Sequence, residues 1–265
     1  MTRSSGSRNR RLQIGQPLML LGWILILAFN AASAQSRILV NKAYTSSTAI
    51  PNEFEFARIV YAGGYDWPRW RADWPEAEQH FNQGLNRLTG IDAADDGVLI
   101  KLTDPALFDH PWLYVVEVGY MHLSQIEIDN LREYLLRGGF LMVDDFHGVH
   151  EWQQFQSVLK QLFPNRPLSR ITVDSPLFNI HFQIEELVQV PGVRSLMSGR
   201  TWEKGGIKPG WHVIRDDDNR IMIIVNFNQD LGDGWEHADD AAYPEKYTGQ
   251  AYRMGVNFVM YAMTH

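Results

Sequence analysis

Two short apolar segments enclose an amphipathic stretch in the middle of the chain, and this pattern restricts the fold more than any other. Residues 112–118 are apolar with one exception, and residues 140–143 are apolar throughout. Between them, Ser124 and Glu127 form the pattern of a capping box at a helix start, and Gly138 marks the helix end. A strand, a helix and a second strand with short connections predict two parallel strands of one sheet.

The rest of the chain continues this alternation. The predicted strands cover residues 54–61, 98–102, 112–118 and 140–143, and the predicted helices run from Pro75 to Gly90, from Ser124 to Gly138 and from Trp152 to Pro164. The last third predicts a β-hairpin of residues 211–215 and 221–227, followed by a helix over about 246–263. These elements predict an α/β fold with a largely parallel sheet and helices on both faces.

The N-terminus has the pattern of an export signal. The first 34 residues contain four arginines and no acidic residue, then an apolar run over 17–29 and small residues at 32–34. We expect a signal peptide over 1–34, a short N-terminal extension over 35–53, and a single α/β domain over 54–265. This predicts a periplasmic or secreted protein, and the alternative is an uncleaved N-terminal membrane anchor.

Charge and cysteine content exclude several classes of function. Without the four arginines of the leader, 20 basic residues remain against 31 acidic ones, a net charge of −11. Such an acidic surface predicts no nucleic-acid partner, and membrane contact only through the leader if it is uncleaved. The chain has no cysteine, which excludes disulfides, a thiolate nucleophile and cysteine-ligated zinc.

Polar residues follow the predicted strand over 140–143. Asp144, Asp145 and His147 stand where that strand ends, and ligands of open α/β sheets bind at the carboxyl ends of strands. We expect Asp145 and His147, with Glu236, to act as catalytic residues. Asp144, Asp145 and His147 are also the predicted ligands of a divalent metal, provided that the strand turns so that both carboxylates face one site. The alternative is that one aspartate caps the following helix.

Further polar residues extend the predicted site. The predicted ligand-binding residues are Arg58, Glu117, Asp144, Asn228, Asp230 and Trp235. Glu117 interrupts an apolar strand, which predicts a desolvated carboxylate at a site or, alternatively, one paired with Arg58. The segment 226–237 resembles a calcium loop in composition but lacks its ligand order. Trp235, together with the tryptophans at 67, 70 and 74, could form an aromatic platform for a sugar ring.

Three segments of the chain carry a resemblance to a known family. They are Phe-Glu-Phe-Ala-Arg at 54–58, Leu-Arg-Glu-Tyr-Leu at 131–135 with Gly-Gly-Phe-Leu-Met-Val-Asp-Asp-Phe-His-Gly at 138–148, and Asn-Phe-Asn-Gln-Asp-Leu-Gly-Asp-Gly-Trp-Glu at 226–236. They resemble the bacterial family catalogued as domain of unknown function 4159, which has no established reaction. That family's likeness to class I glutamine amidotransferase-like and trehalose-utilisation-like domains implies a flavodoxin-like three-layer sandwich, here with a C-terminal β-hairpin plus helix. Glutaminase chemistry is not implied, because the cysteine nucleophile is absent.

Three functions are consistent with these features. The first is an exported cell-envelope domain that binds a small polar ligand or a protein partner in an acidic crevice at the strand ends. The second is a metal-assisted or acid–base hydrolase that acts on a glycan or an ester. The third is a structural partner of a membrane complex. Convergence of Glu117, Asp145 and Glu236 in one pocket would favour the first two functions over the third.

Overall fold

Seven strands form one mixed sheet. The computed structural model describes residues 53–64 and 66–265. The strands are β1 (Ala57–Val60), β2 (Val98–Lys101), β3 (Trp112–Val116), β4 (Phe140–Asp144), β5 (Ser169–Arg170), β6 (Gly210–Arg215) and β7 (Ile221–Phe227). Their order across the sheet is β2-β1-β3-β4-β7-β6-β5.

The first five strands in this order are parallel to one another. Two antiparallel strands complete the sheet, since β6 pairs with β7 in a hairpin and β5 pairs with β6. The parallel part has the strand order of flavodoxin-like folds, in which the direction of chain progression reverses between β1 and β3. The predicted fold class is therefore confirmed, including the C-terminal hairpin and helix.

Helices cover the sheet in two groups. They are α1 (Glu76–Leu88), α2 (Gln125–Leu136), α3 (Gly148–Leu162), α4 (Val193–Met197), α5 (Leu231–Glu236) and α6 (Glu245–Thr264). Helix α1 packs with α5 and α6, whereas α2 packs with α3. Short 3₁₀ helices lie at Arg69–Arg71, Pro105–Asp109, Val118–Tyr120 and Pro176–Phe178.

Alternate residues of the central strands are buried on opposite faces of the sheet. Trp112 and Tyr114 of β3 belong to a buried cluster that also contains Phe81 of α1 and Phe258 of α6. Leu113, between them, is equally buried but lies outside this cluster, as a strand's period of two requires. Burying each such side chain stabilises the fold by about 1.5–3 kcal/mol. Both faces of the sheet are therefore covered, which leaves the strand ends as the place for a site.

Local sequence signals fix most of the boundaries. The backbone N–H of Ser124 donates to Glu127 Oε2 at 2.8 Å, and the reciprocal bond completes the capping box of α2. Strand β3 ends two residues earlier than predicted, because Glu117 has a φ of 51° and leaves the extended conformation.

The predicted signal peptide, and the extension up to residue 52, lie outside the described residues. Within the described residues, no helix is both long and apolar enough to cross a membrane.

Candidate functional site

The ends of four parallel strands define one edge of the sheet. Strands β1, β3, β4 and β7 run in the same direction, so their carboxyl ends meet. We call this region the carboxyl edge; it comprises residues 61–64, 117, 145–148 and 228–230 that follow these strands, and the loops that pack against them. In flavodoxin-like folds ligands bind at this edge, near the point where the strand order reverses.

Non-glycine residues with a left-handed backbone are concentrated at the carboxyl edge. Six described non-glycine residues have a positive φ, and one of them, Asn219, lies in the β6–β7 turn. The other five belong to the carboxyl edge or to loops that contact it: Asp73 (φ 62°), Glu117 (51°), Asp145 (44°), Lys204 (45°) and Asn228 (57°). Such conformations cost energy and persist where the surrounding structure enforces them, often at functional sites.

Asp144 holds the start of α5. Its Oδ2 accepts hydrogen bonds from Tyr114 Oη at 3.0 Å and from the backbone N–H groups of Leu231 at 2.8 Å and Gly232 at 3.2 Å. The side chain is completely buried, and its Oδ1 has no partner. Burial, followed by the charge of Asp145, raises the pKa of Asp144 to about 7. Asp144 therefore caps a helix, but that helix is α5 rather than the one that follows it in sequence.

Asp145 and His147 form a buried pair. His147 Nε2 lies 3.2 Å from Asp145 Oδ1, and His147 Nδ1 is buried without a partner. The strand does turn at Asp145, as the prediction of a shared site required. Burial alone would lower the pKa of His147, but the hydrogen bond and charge of Asp145 outweigh burial and raise it. This pair can bind or transfer a proton.

A lysine from a distant loop enters the same region. Lys204 Nζ lies 2.7 Å from Glu151 Oε1 and 3.4 Å from Glu117 Oε2. Burial, then the charge of Asp145, raises the pKa of Glu117 to about 8, although Lys204 opposes this shift. Glu151 Oε2 also accepts the backbone N–H of His147 at 2.6 Å. Glu117 is thus a largely protonated acid at neutral pH beside a cation.

Arg58 does not pair with Glu117, so that alternative is wrong. The guanidinium is completely buried and binds Glu78 of α1 through Nε. Its Nη1 donates to the carbonyls of Trp70 at 3.0 Å and Ala72 at 2.6 Å. The prediction that Arg58 binds a ligand is corrected accordingly, because no surface of the side chain is accessible and its donors hold the loop that carries Asp73.

Acidic residues of α5 approach the loop that follows β1. A carboxylate oxygen from each of Asp73, Asp230 and Asp233 lies within 4.8 Å of the other two. Asp233, Glu236 and His237 form a second group with the same spacing. Glu236 was predicted to be catalytic together with Asp145 and His147. The structure places Glu236 beside Asp233 and His237, whereas Asp145 and His147 contact each other.

Two further predicted ligand-binding residues have structural roles. Trp235 is completely buried, with its ring centroid 4.6 Å from that of Phe81, so it is a core residue and cannot contribute to a sugar platform. Trp70 is also buried, while Trp67 is 39% exposed. Asn228 joins two loops, since its Oδ1 accepts from Gly148 N at 2.9 Å and its Nδ2 donates to the Lys208 carbonyl at 2.7 Å.

Three residues of the site were not identified from the sequence. Asp73 lies between the predicted first strand and the predicted first helix. Since the loop after β1 lies at the ligand-binding edge of a flavodoxin-like fold, Asp73 could have been predicted from its position in that loop. Lys204 and Glu203 lie in the loop between α4 and β6, which has no periodic pattern and no motif. Only the folded chain brings that loop to the carboxyl edge.

The family of the chain follows from a comparison with known families. The family model described as Domain of unknown function (DUF4159) matches residues 55–263. The chain belongs to this family. The matched range includes all residues of the carboxyl edge. No curated protein matches the chain. The family description names no reaction, so function has to be argued from the geometry of the site.

Proposed function

We propose that this member of the family binds a small polar ligand in a crevice at the carboxyl edge, between the loops that follow β1 and β3. The observation that carries the proposal is the concentration of five left-handed non-glycine residues there. Four of the five have ionisable side chains. The export pattern of the leader supports a location of this activity in the cell envelope.

The backbone conformations argue for selection on function. A strained residue costs about 1–3 kcal/mol. Asparagine and aspartate tolerate a left-handed backbone better than other residues, but Glu117 and Lys204 have no such local compensation. Glycine at these positions would remove the cost, yet it would also remove the carboxylate and the ammonium group. The presence of both side chains at this energetic cost supports a role for each of them in binding.

The side chains around Glu117 and Lys204 indicate the chemistry of the ligand. The guanidinium carbon of Arg69 lies 4.6 Å from the ring centroid of Tyr120, and Lys204 Nζ lies 5.6 Å from it. The exposed Trp67 ring lies 5.5 Å from the same guanidinium carbon. Cations and aromatic rings beside the protonated carboxyl group of Glu117 fit a ligand with hydroxyl groups and one negative charge, such as an acidic sugar of an envelope glycan.

The test is a chemical-shift titration of the protein with neutral and acidic sugars and soluble envelope glycan fragments. We expect shift changes confined to residues near Glu117 and Lys204, and a loss of at least tenfold in affinity in Glu117→Gln and Lys204→Met. Asp217→Asn, at the β6–β7 turn on the opposite edge, is the matched control and should bind normally. Shift changes only outside the carboxyl edge, or equal affinity in all variants, would refute the proposal.

A second candidate function is acid–base hydrolysis at the same crevice. It is favoured by the pKa of Glu117, raised to about 8 by burial and then by the charge of Asp145, and by the Asp145–His147 pair. A protonated carboxyl can donate to a leaving group while the pair accepts a proton from water. Release of nitrophenol from nitrophenyl glycosides and esters tests this function, and activity that survives both Glu117→Gln and Asp145→Asn would exclude it.

A further inference from the structure

The three carboxylates of Asp73, Asp230 and Asp233 come from two separate loops. Asp73 lies between β1 and α1, whereas Asp230 is the N-cap of α5 and Asp233 is in its first turn. One oxygen of each lies within 4.8 Å of the others. Like charges repel at this distance. If the three carboxylates served only to fold the loops, replacing one of them with a neutral side chain would increase the stability of the protein.

Two of these carboxylates are oriented by a backbone N–H group that donates to one of their oxygens. Asp230 Oδ1 accepts the backbone N–H of Asp233 at 2.9 Å. Asp233 Oδ2 accepts the backbone N–H of Val193. Asp230 Oδ2 takes no part in these bonds, whereas Asp233 Oδ1 lies 3.7 Å from His237 Nε2. Side chains that ligate metals are held in this way, with supporting hydrogen bonds that fix the orientation of the ligand atom.

An unpartnered oxygen is the second and independent observation. Asp73 as a residue is partly exposed, but its Oδ2 is buried and has no hydrogen-bond partner. The guanidinium of Arg58, whose charge acts on Asp73, binds Glu78 and two backbone carbonyls, and its Nη2 has no hydrogen-bond partner. A buried carboxylate oxygen without a donor is costly unless a cation or a proton satisfies it.

The glycine at position 192 leaves room beside the group. A Cβ atom built on Gly192 would lie 2.4 Å from Glu203 Oε1, 2.8 Å from Asp230 Oδ2 and 3.3 Å from Asp233 Oδ2. Three carboxylate oxygens therefore surround a space that a side chain at 192 would fill. Glu203 adds a fourth carboxylate, and the absence of a side chain at 192 keeps this face of the group open.

Burial and mutual repulsion disfavour three negative charges in this group. Burial, and then the charge of Asp233, raises the pKa of Asp73 and of Asp230 well above the usual range. Burial also raises the pKa of Asp233, to about 7, against the hydrogen bond from Val193. Hard divalent cations such as Ca²⁺, Mg²⁺ and Mn²⁺ prefer oxygen ligands of this kind.

We propose that Asp73, Asp230 and Asp233, with Glu203 beside them, bind a hard divalent cation at the carboxyl edge. This site differs from the set Asp144, Asp145 and His147 predicted from the sequence. The inference deepens the proposed function and rests on it, since the charge of Asp145 acts on Asp73, Asp230, Asp233 and Glu117. A bound cation would add a positive charge for the negative group of the ligand.

The experiment uses the full-length chain as its expression host processes it, after dialysis against EDTA and then metal-free buffer. CaCl₂, MgCl₂ and MnCl₂ are titrated separately by calorimetry, and melting temperatures are recorded with each salt. We expect one of the three to bind and to raise the melting temperature by roughly 5–10 °C at a hundredfold excess over Kd. The inference would be overturned if none of the three salts produced a binding heat and none raised the melting temperature.

Asparagine variants of two predicted ligands test where the ion binds. Asp73→Asn and Asp230→Asn keep the shape of each side chain, and asparagine is also a good N-cap. In metal-free buffer we expect both variants to melt higher than the parent, because one repulsive charge is gone, and to lose the shift with metal. Glu236→Gln and Asp217→Asn should retain it. A shift that persists in Asp73→Asn and Asp230→Asn, or that is lost only in Glu236→Gln, would overturn the assignment.

The two proposals fail in different ways. The calorimetric titration contains no sugar, so it reports on the metal site alone. If no cation binds but the sugar titration still perturbs Glu117 and Lys204, only the metal inference is wrong. If a cation binds and no sugar perturbs the carboxyl edge, the proposed ligand class is wrong and the metal site stands.

Discussion

Replacement of Asp144 tests the claim that one buried oxygen holds the carboxyl edge together. In Asp144→Ala, the hydroxyl of Tyr114 and the backbone N–H groups of Leu231 and Gly232 lose their acceptor. Each buried group left unsatisfied costs about 1–3 kcal/mol. Removal of a carboxylate repelled by its neighbours returns part of this, so we expect a net loss of about 3–5 kcal/mol in the free energy of unfolding.

Asp144→Asn separates the hydrogen bonds from the charge. The amide oxygen can accept the same three bonds at the position of Oδ2, while the amide nitrogen takes the place of the unpartnered Oδ1. We therefore expect Asp144→Asn to stay within about 1 kcal/mol of the parent. Urea denaturation at pH 7 measures both variants, with Asp217→Asn as an exposed control. Equal losses in the alanine and asparagine variants, or a loss below about 1 kcal/mol in the alanine variant, would refute the reasoning.

Three other predictions concern the surroundings of the site. Arg58→Met leaves Glu78 and the carbonyls of Trp70 and Ala72 without their donor and should cost about 3–5 kcal/mol in urea denaturation. Arg58→Met/Glu78→Leu should recover the part that comes from the unpaired charge of Glu78, and no recovery would argue against a buried pair. The pKa of Glu117 is raised to about 8 from an ordinary 4.5. Between these two pH values the native state keeps a proton that the unfolded state has released, so the parent loses stability as the pH rises. The stability of Glu117→Gln relative to the parent should thus increase between pH 5 and pH 9, and a constant difference would contradict this. Gly192→Ala should weaken divalent-metal binding at least tenfold, because its Cβ would lie 2.8 Å from Asp230 Oδ2, whereas Gly90→Ala, where a Cβ would contact nothing within 4 Å, should not; equal affinities would refute the proposed position of the ion.

Sequence reasoning succeeded where a pattern repeats along the chain. The capping box at Ser124 and Glu127 and the apolar stripe after it identified α2, and the continuous apolar run over 140–143 identified β4. Because parallel strands end at one edge, the position of Asp144 and Asp145 at that edge followed from the fold class. The same logic would have indicated Asp73, had the loop after β1 been considered as part of the edge.

The rest depended on tertiary contacts that leave no periodic signal. Glu117 was expected inside a strand, but a left-handed backbone at that residue ends β3, and no residue type announces such a conformation. Trp235 was predicted to bind a ligand, as part of an aromatic platform with the tryptophans at 67, 70 and 74. It is buried because α5 packs against α1 and α6. The partner of Glu117, Lys204, lies 87 residues away.

The central claim is that Asp73, Asp230 and Asp233 bind a divalent cation at the carboxyl edge, which makes this edge more than a structural junction. Anomalous diffraction from crystals soaked in MnCl₂ tests it most directly, because manganese marks its own position. We predict a peak bounded by the carboxylates of Asp73, Asp230 and Asp233 that is missing in crystals of Asp73→Asn. A map without a peak there, or with peaks only at exposed acids such as Asp217 and Asp218, would contradict the account.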